Sequence, residues 1–203
     1  MGRLLAQSLG YLYLDSGAFY RAVAREAARR HLDLEDPQAL AEFLAGFAPE
    51  VTSDDQGFHL WFQGREITRE LRSPQVSQDS SRVAVLPGVR RWVKDRLRDL
   101  ARDRGVVAEG RDQGSVVFPE AQFKFYLDAD LETRARRRLQ DWQRDNDPPS
   151  LEEVLAQLAA RDRQDASRGE APLTVPEGAI VIDTTNLSVA QVVEQCLARI
   201  RNR

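Results

Sequence analysis

Leu14-Asp15-Ser16-Gly17-Ala18-Phe19-Tyr20-Arg21 is the stretch whose reading decides the fold. It joins a short apolar run, Tyr11-Leu12-Tyr13-Leu14, to a helical pattern that begins near Ala18. A strand that stops at Asp15-Ser16-Gly17 and turns directly into a helix brings several groups to one edge of a sheet. They are a carboxylate, a hydroxyl, free backbone N–H groups and the arginine Arg21. In open α/β sheets the carboxyl ends of the strands are where ligands bind, and the exposed N–H groups of a helix start favour anions. The same residues also read as a turn in which Ser16 only caps the helix. The stretch by itself does not separate the two.

Outward from it, the chain alternates strand and helix. Residues 3–9 read as the end of a helix closed by Gly10. The helix after the opening stretch spans 18–30, with an apolar stripe through Ala22, Val23 and Ala27. Asp36-Pro37 starts another by N-cap and first-turn proline logic, running to about Leu44 with Gly46 at its end. Residues 58–68 alternate Phe58, Leu60 and Phe62 with His59 and Trp61 and suggest a hairpin turning at Gly64-Arg65. Ser73-Pro74 and Pro87 start two further helices, the second with Val89, Trp92, Val93 and Leu97 on its apolar face. Asp130, Ser150 with Glu153, and Ser188 with Gln191 cap the remaining three. Strands are expected at 11–14, 106–108, 123–127 and 179–182, each followed by a loop and a helix. That order predicts an α/β fold, a parallel sheet with helices on both faces. The stretch 33–90 interrupts it as a small α+β insert within one domain spanning 1–203.

Composition excludes several classes. The 203 residues are 42% hydrophobic and 30% charged with a net charge of −3, ordinary for a globular domain and without a global pull toward nucleic acid. Among 29 basic residues the only lysines are Lys94 and Lys124; the rest are arginines, which fork onto phosphates. The single Cys196 leaves no disulfide framework or cysteine-based zinc site, and no metal-binding residues are assigned. No apolar run reaches about 18 residues and no signal peptide is visible, so a cytoplasmic protein is expected.

Three loops leave strand ends with polar groups: Asp15-Ser16-Gly17, Gly110-Arg111-Asp112 with Gly114, and Asp183-Thr184-Thr185. In a parallel sheet they share one edge and suggest a single anionic-ligand site. Gly110 and Gly114 would let the backbone approach a ligand, and Arg111 can fork onto a phosphate or pair with Asp112. In Arg161-Asp162-Arg163-Gln164-Asp165-Ala166-Ser167-Arg168, positions 161, 165 and 168 share a helix face. Two arginines bracketing an aspartate could close over phosphates as a lid, or form a solvated helix end laced with weak ion pairs. His31 and His59 are isolated, and Trp61, Trp92 and Trp142 read as packing residues.

These motifs, together and in order, resemble bacterial cytidylate kinase, a P-loop nucleoside monophosphate kinase. They are Leu14 to Arg21, Ser81-Arg82-Val83-Ala84 with Pro87-Gly88-Val89-Arg90, and Glu109 to Pro119. Arg161 to Arg168 followed by Ala171-Pro172-Leu173, and Val181 to Thr185, complete the set. The resemblance covers essentially the whole chain. It implies transfer of the γ-phosphoryl of ATP, with Mg²⁺, to CMP or dCMP in pyrimidine nucleotide metabolism, UMP being the near alternative acceptor. Nucleotides would be its partners, with no nucleic acid or membrane, and a monomer is expected. Ser16, Gly17, Tyr20 and Arg21 would hold the acceptor nucleotide, with Ser81 and Asp112 near its cytosine. Arg90 and Arg111 would meet its phosphate and Asp165 its sugar. Arg161 and Arg168 would act catalytically from a lid over about 142–170, Asp15 is placed with them as catalytic, and the insert 33–90 would clamp the acceptor.

One departure stands out. The family's opening strand and its G-x-x-x-x-G-K-[ST] phosphate loop, roughly 15 residues, have no counterpart in residues 1–203, and Gln164 stands where a lid arginine is expected. A start placed too late or a truncated sequence, an inactive remnant, and a CMP-binding protein without transfer are the three explanations. Impaired transfer by the 203 residues as written is the expectation, and unpaired sheet edges would invite aggregation.

Overall fold

The computed structural model describes residues 1–203 except 55–56, 143–148, 167–172 and 203. The chain divides into two compact units, Gly2–Gly110 and Arg111–Arg203, with Met1 grouped with the latter.

In the first unit, α1 (Gly2–Leu9) buries Leu5 and Ala6. It stops at Gly10, whose φ of 65° is the left-handed conformation that glycine adopts without a Cβ penalty. β1 (Leu12–Asp15) then pairs in parallel with β5 (Val106–Glu109), from Leu12 opposite Val106 to Asp15 opposite Glu109. The chain enters α2 (Ser16–Arg29) without a loop, because the Asp15 carboxylate accepts the Ala18 N–H and caps the helix. The cap is therefore Asp15, not Ser16, which is the first helical residue. α2 buries Ala18, Phe19, Ala22, Val23 and Ala27 in the core.

Asp36 caps α3 (Pro37–Gly46) through the Gln38 and Ala39 N–H groups. β2 (Glu50–Asp54), β3 (Gly57–Phe62) and β4 (Arg65–Glu66) form an antiparallel sheet, one strand more than the expected hairpin. The β3–β4 turn lies at Gln63-Gly64, one residue earlier than expected. Both residues have positive φ, 52° and 74°, the twist that closes a two-residue hairpin, and Phe62 pairs with Arg65. Ser73 caps α4 (Pro74–Val83), and α5 (Pro87–Ala101) follows, burying Val89, Val93 and Leu97. Trp92 stacks on Phe47 at 5.3 Å, and Phe47 meets Phe62 edge-on at 4.8 Å.

In the second unit, β6 (Phe125–Asp128) pairs in parallel with β7 (Ile180–Asp183). α6 (Leu131–Trp142), α7 (Leu151–Ala166) and α8 (Val189–Arg201) start where the capping residues predict. Asp130 accepts from the Thr133 N–H at 2.7 Å, and Ser150 with Glu153 and Ser188 with Gln191 form reciprocal boxes. Cys196 is a buried core thiol, its pKa pushed up by burial. Each unit thus holds one parallel pair of the four strands expected from the sequence. No helix among the described residues is long and apolar enough to cross a membrane.

Candidate functional site

At the carboxyl ends of β1 and β5, Asp15 has two tasks. Oδ1 accepts the Ala18 N–H at 3.1 Å and Oδ2 accepts from Arg21 Nη2 at 2.7 Å. The ion pair closes over Gly17, where a Cβ would lie 2.9 Å from Arg21 Nη1 and 3.0 Å from Asp15 Oδ1. Gly17 is needed here for clearance above its backbone. Ser16 is buried and Tyr20 half-buried on the same helix.

Glu109, across the ladder from Asp15, is a residue that sequence reasoning left without a role. Its signal was available: it ends its short apolar strand as Asp15 ends the first. Desolvation, and then the Asp15 charge, raise the Glu109 carboxyl above its ordinary value, opposed by a hydrogen bond from Tyr13. Burial and these two carboxylates push the Tyr13 hydroxyl far up, so it stays a donor.

The same unit carries Ser81, half-buried on α4, and Arg90, in the first turn of α5, whose Nη1 donates to the Ala84 carbonyl at 3.2 Å. α4 packs along α2, so Ser81 lies on the helix adjoining the one that bears Tyr20 and Arg21.

The second unit brings Arg111, Asp165 and Arg161 together. Asp165, on α7, is 1% exposed. Arg111 Nε lies 3.2 Å and Arg161 Nε 3.9 Å from its Oδ2. Arg111 therefore pairs with Asp165, 54 residues away in sequence by their numbers, rather than with Asp112. Asp112 is buried, accepts from Gln113 Nε2 at 3.3 Å, and opens a π-type turn over Gln113–Val117 through its carbonyl. Such turns recur at functional sites. Gly114 does not open the backbone to a ligand as expected. A Cβ there would meet Pro176 at 3.0 Å and Lys124 at 3.3 Å, so its bareness serves packing.

The third expected loop is engaged within its own unit. Thr184 Oγ1 donates to the Asp128 carbonyl at 2.9 Å, while Arg137 donates to Thr184 Oγ1 at 3.0 Å and to the Thr184 and Leu187 carbonyls. Asp183 accepts the Thr185 side-chain and backbone hydrogen bonds that hold its carboxyl below the usual range. Arg134 ties α6 to α7 through Asp162 at 2.6 Å. Arg168 and most of the turns expected to flank the lid lie outside the described residues. His59 is not isolated: Nδ1 meets Glu66 at 2.9 Å and Nε2 meets Asp54 at 3.1 Å.

Guanidiniums held by carboxylates, Arg21 by Asp15 in the first unit and Arg111 and Arg161 by Asp165 in the second, are groups suited to a phosphate-bearing ligand, since Arg binds phosphate bidentately in a fixed geometry. A family model described as cytidylate kinase matches residues 1–202. The chain is 40% identical to the cytidylate kinase of Caldanaerobacter subterraneus subsp. tengcongensis over 99% of its own length and 88% of that protein's. It is 37% identical to the cytidylate kinase of Pasteurella multocida, over 97% and 87%. A bifunctional pantoate ligase/cytidylate kinase from a Synechococcus strain is 41% identical over 95% of this chain and 36% of that longer protein. The class is thus the α/β fold of the P-loop nucleoside monophosphate kinases. Within it, the chain belongs to the cytidylate kinase family.

Proposed function

We propose that the chain transfers the γ-phosphoryl of ATP to CMP or dCMP. The carrying observation is the Arg111–Asp165–Arg161 arrangement, a buried carboxylate holding two half-exposed guanidiniums, in a chain about 40% identical to cytidylate kinases over nearly all its length. Phosphoryl transfer demands little covalent chemistry of the protein; positioning and charge neutralisation dominate. Arg90 and Arg111 hold the CMP phosphate so that its oxygen attacks in line. Ser16, Gly17, Tyr20 and Arg21 hold the acceptor nucleotide, Ser81 and Asp112 meet its cytosine, and Asp165 faces the sugar. Arg161 and Arg168 neutralise charge on the phosphoryl in flight. Asp15, expected among the catalytic residues, acts by holding Arg21.

Magnesium would travel with ATP and neutralise its phosphates. The Asp15 and Glu109 carboxylates, side by side on adjacent strand ends, would suit a hard cation; the raised Glu109 pKa comes first from burial, with the Asp15 charge adding to it. The insert 33–90 clamps the acceptor, the region 142–170 is the lid, and the enzyme works as a cytoplasmic monomer.

Residues 1–203 contain no G-x-x-x-x-G-K-[ST], so the polypeptide of these residues alone transfers slowly. The alternative reading is a CMP-binding chain without transfer. The test is transfer of labelled γ-phosphate to CMP, dCMP, UMP and AMP. It is run on residues 1–203 and on the same residues preceded by a strand and phosphate loop. The expected result is weak labelling of CMP and dCMP by the first and turnover of about 1–100 s⁻¹ by the second. Labelling of UMP or AMP in preference overturns the acceptor assignment, and full turnover by residues 1–203 overturns the impairment. CMP binding with no transfer in either form selects the alternative reading.

A further inference from the structure

We propose that the Arg25–Glu70 ion pair is a positioning device for the acceptor site, setting α4 and its Ser81 against α2 and its Tyr20 and Arg21. The inference rests on the assignment of those residues to the acceptor nucleotide.

Arg25 follows Arg21 by four residues, one turn along α2 on the same face. Its guanidinium is spread over two carboxylates. Nε and Nη2 both donate to Glu70, the first at 2.7 Å, and Nη1 donates to Glu26. Glu26, 1% exposed, is also met by Arg29 Nε at 3.2 Å and Arg30 Nε at 4.0 Å, so one end of the network is sealed into α2. The other end is Glu70, at the start of the short 3₁₀ turn Glu70–Arg72. Glu70 also accepts from Arg65 Nη2 of β4 at 2.6 Å, and its N–H donates to the Ile67 carbonyl at 3.0 Å. Three elements, α2, β4 and the turn, therefore meet at one carboxylate.

That turn runs straight into Ser73, the N-cap of α4. Fixing Glu70 fixes the origin of α4, and a helix transmits the placement of its first turn rigidly to Ser81, within its third. Leu71, buried between the two ends, gives the turn packing but no direction. Direction comes from the two-pronged, charge-assisted contact, which is short-range and angle-dependent in a way apolar packing is not. The Arg25 guanidinium also holds the Glu70 carboxyl below its ordinary range, so the pair stays charged at neutral pH.

The test is calorimetric titration of CMP into residues 1–203, wild type and variants, well below each variant's Tm, with circular dichroism confirming the fold. Glu70→Gln keeps the shape and removes the charge. Arg25→Lys keeps the charge and loses the two-pronged contact. Each is expected to weaken CMP binding about three- to tenfold, and the double variant to be no worse than the weaker single, since the two residues act as one unit. A purely structural role would lower Tm and leave the CMP Kd of the folded chain unchanged; that result, or additive losses in the double variant, overturns the proposal. Should Glu70→Gln fail to fold, Arg65→Gln loosens the same junction from a side chain 71% exposed. A smaller loss of affinity is then expected, and none overturns the proposal. If the folded wild type binds no CMP, the acceptor assignment fails and this inference with it. If only the variants behave like wild type, the assignment stands and this inference falls alone.

Discussion

Replacing Arg111 by alanine should destabilise the second unit more than replacing its partner Asp165 by asparagine. The asymmetry follows from burial. The Asp165 carboxylate is 1% exposed, whereas the Arg111 and Arg161 side chains are 39% and 53% exposed. At an effective dielectric of about 20, an Arg–Asp pair at the 3.2 Å seen for Arg111 carries about 5 kcal/mol of Coulomb attraction and one at the 3.9 Å of Arg161 about 4 kcal/mol. Desolvation of the carboxylate consumes much of this. Arg111→Ala leaves a charged carboxylate in its buried place without the closer of these two guanidiniums. Removing one partner of a buried pair costs about 3–5 kcal/mol, and the remaining Arg161 offsets part, so about 2–3 kcal/mol is expected. Asp165→Asn removes the buried charge itself, and the two guanidiniums reach water; about 1 kcal/mol is expected. The assay is urea denaturation of residues 1–203 at pH 7, followed by circular dichroism, with variants compared at equal m-value. Equal losses, or a greater loss for Asp165→Asn, would refute the view that the arginines support a buried charge that is costly by itself.

Gly17→Ala should push the Arg21 guanidinium off Asp15, since the new methyl would sit 2.9 Å from Arg21 Nη1 and 3.0 Å from Asp15 Oδ1. A stability loss of about 1 kcal/mol and weaker CMP binding are expected from melting and calorimetry. Glu109→Gln should flatten the stability–pH curve above the ordinary glutamate pKa. The folded chain holds that proton more tightly than the unfolded chain, so wild-type stability falls as pH rises through the interval between the two values. Melting between pH 4 and 8 checks it, and identical slopes for both proteins would count against it. Hydrogen bonds from His59 to Glu66 and then Asp54 raise the His59 pKa. Its stabilising effect on the three-stranded sheet is complete below the ordinary histidine value and fades as pH rises through the raised one. An NMR titration of the His59 ring should show a midpoint above about 6.5, lowered by Glu66→Gln.

What the sequence made legible was local. Asp36-Pro37, Ser73-Pro74, Ser150 with Glu153 and Ser188 with Gln191 each start a helix where expected, because a cap is a contact within three or four residues. The parallel pairs followed from strand–loop–helix order. β2 was missed because Glu50-Val51-Thr52-Ser53-Asp54 carries one apolar residue and is a strand only through pairing with β3. The π-type turn after Asp112 depends on carbonyl geometry that has no residue signature. Among the site residues, Arg161 and Asp165 share a helix face, as expected of positions four apart, and lie close enough to pair. The partner of Arg111 was not legible, because Asp165 reaches it only through the fold. Glu109 was visible as the end of a strand, but its closeness to Asp15 needed the ladder register. The resemblance named the family before the structure did; it could not say that Asp15 both caps α2 and holds Arg21, or that Gly114 is filled by Pro176 and Lys124.

The acceptor assignment is tested most directly by titrating CMP, UMP and AMP into residues 1–203 in a calorimeter, under conditions where the chain melts cooperatively. The residues assigned to the acceptor all lie within residues 1–203. Saturable heat with CMP, and markedly weaker heat with UMP and AMP, is the predicted result. A cooperatively folded chain that gives no heat with CMP, or that prefers UMP or AMP, would contradict the account.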